Sequence, residues 1–106
     1  MIRCILIDDE KNALEMMEWL IKTYCPSVEI AAMCSSAEQG IEAIHKLKPD
    51  VVFLDIEMPK MNGFDVCKTV KHEWAMDDVY IIMLTAKGQE FDKEKGNEVG
   101  ADLYMT

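Results

Sequence analysis

Basic residues are scarce, with 11 Lys and Arg against 20 Asp and Glu and a net charge of −9. Such a chain repels phosphate backbones and anionic lipid, which argues against direct nucleic-acid binding. Long apolar runs are missing too. Stretches such as Val79 to Leu84 fall far short of the roughly 20 residues that cross a bilayer. Residues Met1 to Ile7 run straight into acids with no cleavage site. The expectation is a cytoplasmic protein with no membrane partner. Cys4, Cys25, Cys34 and Cys67 form no Cys-x-x-Cys pair and no His ligands pair with them, so neither a zinc site nor a disulfide framework is indicated. Reduced core thiols are the better reading. The nine methionines fall mostly within apolar stripes, as gap fillers. No repeat or linker interrupts the chain, and 106 residues with 50% hydrophobic content suit a single core.

What is present is an alternation of short apolar runs with stretches of helical period, the pattern of strand-helix units around a parallel sheet. Ile2 to Ile7 reads as a first strand. Leu14, Met17, Ile21 and Tyr24 then place one apolar face on a helix from about Glu10 to Tyr24, ended by Pro26. Val28 to Cys34 is a second strand. Ser35 and Ser36, with Glu38 and Gln39, supply N-cap chemistry for a helix whose core face is Ala37, Ile41, Ile44 and Leu47. Val51 to Asp55 is nearly continuous in apolar residues, as expected for a central strand covered on both faces. Cys67, Val70 and Trp74 mark a third helix, Val79 to Leu84 a fourth strand, and Asp102 to Met105 a fifth. Residues 89–98 form a weaker fourth helix, with Phe91 and Val99 almost its only apolar support and Gly96 inside it. His45 and His72 lie in polar-flanked helical segments with no acids at ligand spacing and read as surface residues.

In open α/β sheets, ligands bind beyond the carboxyl ends of the strands, where strand order reverses. Three chemically suggestive stretches end there. Asp8-Asp9-Glu10 follows the first strand, Asp55 closes the third, and Thr85 follows the fourth. Acids at strand ends often only cap the next helix or face water, but three matching strand ends together weigh against that. Carboxylates gathered within a few ångströms repel one another unless a cation neutralises them. Hard oxygen donors with room for water suit Mg²⁺.

These residues carry a resemblance. The stretches 6–10, 52–59 with the later Gly63, 83–87 and 100–104 together resemble the receiver domains of two-component response regulators, over essentially the whole chain and at matching intervals. The first half is similar to receivers of the LytR type and the second to those of the OmpR type. The resemblance implies a flavodoxin-like three-layer α/β sandwich with a five-stranded parallel sheet in the order 2-1-3-4-5. It also implies a phosphorelay function, as a signalling module and not an enzyme. Asp55 would accept a phosphoryl group from a sensor histidine kinase or phosphotransfer protein. Asp9, Asp55 and the backbone carbonyl of Glu57 would bind Mg²⁺, with Asp8 acting through a metal-bound water. Thr85 would donate its hydroxyl to the phosphoryl group. Tyr104 would swap rotamers and change the surface of helix four and strand five. Glu57 and Lys87 occupy positions that tune dephosphorylation in this family, and Gly63 supports the local turn.

Receivers normally continue with a Lys-Pro pair and a fifth helix, whereas this chain stops at Thr106, before that Lys. The expectation is a single receiver domain, 1–106, truncated at its C-terminus. Loss of the ammonium would impair phosphorylation or the response to it. An uncovered sheet face would favour a homo-oligomer. The alternative reading is a phosphorylation-independent interaction or dimerisation module, or an engineered receiver fragment. An aspartyl-intermediate phosphatase ranks below both, because Glu57 stands where a second Asp would act as general acid. Flavin binding ranks low as well, since the loop after the first strand is acidic where a phosphate cradle is neutral or Gly-rich.

Overall fold

The computed structural model describes residues 1–55, 63–74, 78–84 and 103–105. The apolar runs form strands and the periodic stretches form helices. In chain order they are β1 (Ile2–Ile7), α1 (Lys11–Tyr24), β2 (Val28–Cys34), α2 (Ala37–Leu47), β3 (Val51–Asp55), α3 (Gly63–Lys68), β4 (Tyr80–Leu84) and β5 (Leu103–Met105). The α3 backbone runs on into a π-helical segment, Thr69–Glu73. All strand pairings are parallel, in the order β2-β1-β3-β4-β5. This is the three-layer, doubly wound arrangement expected from the sequence. β4 starts one residue later than expected, at Tyr80, and β5 at Leu103. The expected helix at 89–98 lies outside the described residues. Among the described residues, no helix is long and apolar enough to cross a membrane.

Alternation along the strands builds two cores. Ile5, Ile7, Val52, Leu54, Ile81 and Met83 face α2 and α3, meeting Ala37, Ile44, Val66, Cys67 and Val70, all nearly inaccessible. Cys4 and Leu6 face the other way, against Leu14 and Ile21 of α1. Expected α2 core positions hold, with Ile41 and Leu47 at the margin. Trp74, expected on the core face of the third helix, is half-buried and stacks on His45 with ring centroids 4.6 Å apart.

Three expectations about single side chains are corrected. Tyr24 is 70% exposed. Counting from Leu14 at 3.6 residues per turn, Tyr24 lies about 80° off the buried stripe and its hydroxyl stays in water. Cys25 is exposed, while Cys4, Cys34 and Cys67 are buried and all four are free thiols. Burial pushes the Cys4 and Cys34 thiols above the ordinary range. Methionine serves both roles, since Met83 fills the core whereas Met16 and Met33 face solvent.

Helix ends explain the boundaries. The Ser36 hydroxyl accepts the Gln39 N–H at 3.2 Å, while the Gln39 side chain reaches back to the Ser35 N–H at 3.1 Å, so both orphan donors find oxygens. At the other end Lys48 closes α2 in the left-handed conformation, φ 47°. A Cβ is strained there, so Lys48→Gly is expected to stabilise the fold by about 0.5–1 kcal/mol, readable in chemical denaturation. Arg3 staples this end of the sheet. Its N–H donates to Asp50 Oδ2 at 2.9 Å, its carbonyl accepts the Asp50 N–H, and its Nη1 donates to the Leu47 carbonyl at 3.0 Å.

Gly40 sets the approach of α2 to the sheet. A Cβ at this position would stand 2.4 Å from Ile7 Cδ1 and 2.9 Å from Cγ1, and Ile7 is itself 1% exposed, with no room to retreat. Overpacking of this kind costs about 1–3 kcal/mol, more than the gain of up to about 1 kcal/mol in helix propensity. Gly40→Ala is therefore expected to lower the denaturation midpoint, despite favouring the helix locally.

Candidate functional site

β1 and β3 pair directly, with Ile7 opposite Leu54. The next residue on each strand is an acid, so Asp8 and Asp55 emerge side by side at the carboxyl edge of the sheet, and Asp9 follows on the same loop. One carboxylate oxygen from each of Asp8, Asp9 and Asp55 lies within 4.8 Å of the others. Asp55 is 6% exposed and Asp8 9%, while Asp9 is open to water. The three acids singled out in the sequence are thus brought together. β4 ends at the same edge, since Leu84 lies opposite Asp55. Thr85, Glu57 and Lys87 fall outside the described residues, as does the side chain of Tyr104, whose backbone on β5 pairs with Met83.

Main-chain contacts hold the cluster in place. The Asp8 N–H donates to the Cys34 carbonyl at 3.1 Å, which ties the loop to the end of β2. The Glu10 N–H donates to Asp8 Oδ1 at 2.9 Å, closing an Asx turn before α1 begins. Neither contact was anticipated from the sequence. The Asx turn had a signal, an Asp two residues before a chain reversal, whereas a backbone carbonyl such as that of Cys34 leaves none.

Burial pushes the Asp8 carboxyl above the usual carboxylate range. The Glu10 N–H opposes this, and the negative charges of Asp9 and Glu10 add to the rise. Charge repulsion of this kind is relieved by a cation. Three hard oxygen donors, one buried and one solvent-facing, fit Mg²⁺, which takes one or two carboxylates and keeps waters and substrate oxygens in its remaining positions.

Fold and site together define a doubly wound parallel α/β domain with a carboxylate crevice at its topological switch point. The model of the response regulator receiver domain matches residues 4–106, and the chain belongs to that family. It is 36% identical over 104 residues to the alkaline phosphatase synthesis transcriptional regulatory protein PhoP of Bacillus subtilis (strain 168). That alignment takes in 98% of this chain and 41% of the relative, so the chain spans less than half the relative's length. Among solved structures, it superposes on a LuxR-family DNA-binding response regulator from Staphylococcus aureus with a TM-score of 0.86 and 27% identity. The match covers 98% of this chain and 84% of that one. The response regulator domain of Thermotoga maritima CheB matches with a TM-score of 0.85 over 99% of this chain and 77% of that one; at 24% identity it speaks for the fold alone.

Proposed function

We propose that this receiver domain is a phosphoryl-accepting switch in which Asp55 is the acceptor and Asp9 and Asp55 would hold Mg²⁺, with Asp8 reaching it through a water. The observation that carries the reading is the convergence of Asp8, Asp9 and Asp55 within 4.8 Å from two strands nearly fifty residues apart in sequence. Mg²⁺, when bound, neutralises charge on the phosphoryl oxygens, the main requirement of phosphoryl transfer. Asp55, held at the end of a buried strand, presents a carboxylate oxygen that attacks phosphorus. The P–O bond forms as the donor's P–N bond breaks, and the electron pair leaves on the donor imidazole. Beside Asp9 and Asp55, the Glu57 carbonyl would be the third protein ligand of the metal.

In the same reading Thr85 donates its hydroxyl to the phosphoryl group and Tyr104 reports it by a change of rotamer through helix four and strand five. The partners would be a phosphohistidine-bearing kinase or phosphotransfer protein in the cytoplasm and, for assembly, a second copy of the chain. The test is incubation with Mg²⁺ and a small acyl phosphate, followed by intact-mass measurement before and after hydroxylamine. One phosphoryl adduct removed by hydroxylamine is the expected acyl phosphate. An adduct that survives hydroxylamine sits on another residue type and contradicts the assignment.

A further inference from the structure

The peptide unit between Cys34 and Ser35 is held at both ends. Its carbonyl accepts the Asp8 N–H at 3.1 Å, and its N–H donates to Gln39 Oε1 at 3.1 Å. A peptide unit is planar, so its C=O and N–H point in opposite directions and turn together. Whatever fixes the Ser35 N–H therefore fixes the Cys34 carbonyl, and with it the main chain at Asp8. The Ser35 hydroxyl donates to the same Oε1 at 3.2 Å. Hydrogen bonds in such a chain polarise one another, so the Gln39 contact also strengthens the one to Asp8.

Gln39 is itself firmly placed. Its N–H donates to Ser36 Oγ in the first turn of α2, and the next residue, Gly40, lies against Ile7, the residue before Asp8. Ile7 pairs with Cys34, so the ends of β1 and β2 leave the sheet side by side. At the far end of this relay, Asp8 Oδ1 accepts the Glu10 N–H and so encloses Asp9 in the turn. Asp55 stands on β3, across β1 from β2. The grip on the peptide thus sets Asp8 and Asp9 relative to Asp55, whose oxygens must gather within 4.8 Å. Both Ser35 and Gln39 are exposed, so water replaces a lost acceptor in energy but not in position, and the cost of losing it falls on geometry more than on stability.

We propose that Gln39 is a positioning residue for the cation site, acting on it through the peptide between Cys34 and Ser35. The inference rests on the reading of Asp8, Asp9 and Asp55 as that site. Mn²⁺ titration, followed by electron paramagnetic resonance of the free ion, reads the affinity. Gln39→Met keeps the length of the side chain without its acceptor and is expected to weaken Mn²⁺ binding about three- to tenfold, less than the loss of a group bonded directly to a ligand. Gln39→Glu keeps the oxygen and is expected to restore the parent affinity. Gln39→Asp carries the same charge on a side chain shorter by one carbon, about 1.5 Å, and is expected to stay weak. Ser36→Ala removes the cap of α2, so it should lower the denaturation midpoint and leave the affinity at the parent value. In the metal-free protein the Asp8 amide is expected to exchange faster with solvent in Gln39→Met, with the amides of β3 unchanged. Parent-like affinity and Asp8 exchange in Gln39→Met overturn the proposal, as does an equal loss of affinity in Ser36→Ala, which would reduce Gln39 to helix capping. A parent chain that binds no Mn²⁺ overturns the cation reading and the proposal with it, an outcome told apart because it needs no variant.

Discussion

Asp55→Asn is expected to abolish phosphoryl incorporation from a small acyl phosphate, while the parent chain gains one group per molecule in intact-mass spectra. The amide is isosteric with the carboxylate, so the buried end of β3 keeps its packing and the pairing of Asp55 with Leu84 is unaffected. What is lost is the nucleophile, because an uncharged amide oxygen is a poor one and no other described residue shares its position. Asp9→Ala leaves the acceptor in place and removes a metal ligand, so the adduct should form far more slowly and lose its dependence on Mg²⁺ concentration. Residual phosphorylation of Asp55→Asn at the parent rate would move the acceptor elsewhere.

The second large effect is linkage between Mg²⁺, pH and stability. The Asp8 carboxyl titrates above its ordinary range in the folded chain, mainly through burial, so the fold binds that proton more tightly than the unfolded chain does. Stability of the metal-free protein should therefore fall as pH rises through the ordinary carboxylate range up to the folded value, with the penalty fully present above it. Mg²⁺ binds the ionised cluster. At a hundred times its dissociation constant it adds about 2.7 kcal/mol, or roughly 10–20 °C in Tm for a domain of this size, and nothing once the carboxylates are protonated. Asp8→Asn removes one repelling charge, so it should stabilise the metal-free protein at neutral pH and reduce the Mg²⁺ increment. Differential scanning calorimetry across pH, with and without Mg²⁺, checks both signs.

Much of the fold was legible because strands at the centre of a parallel sheet leave almost uninterrupted apolar runs, as at Val51 to Leu54, and helices packed on one side leave a stripe, as at Ala37, Ile41, Ile44 and Leu47. The acids of the site were legible for a related reason, since each follows directly on an apolar run that fixes where it emerges. What was not legible depends on partners distant in sequence or on backbone detail. The need for Gly40 comes from Ile7 on another element. The left-handed Lys48 carries no glycine to announce it. The π-helical segment Thr69–Glu73 has neither Pro nor Gly, and its close, with the Trp74 N–H on the Thr69 carbonyl, depends on where Trp74 meets His45 and where Lys71 Nζ meets the Val79 carbonyl. Tyr24 shows the limit of periodicity, as a spacing of three or four residues decides between core and flank by a fraction of a turn.

The central claim is that carboxylates from two strand ends form one cation site. Mn²⁺, which takes the same oxygen donors as Mg²⁺, reports it directly through paramagnetic broadening of backbone amides in a two-dimensional NMR spectrum. At low Mn²⁺ the amides of Asp8, Asp9, Glu10 and Asp55 should broaden together, with excess Mg²⁺ restoring them, while Arg3 and Asp50 at the far end of the sheet stay sharp. Broadening spread over exposed acids such as Glu15, Glu42 and Asp65, with Asp55 untouched, would contradict the account.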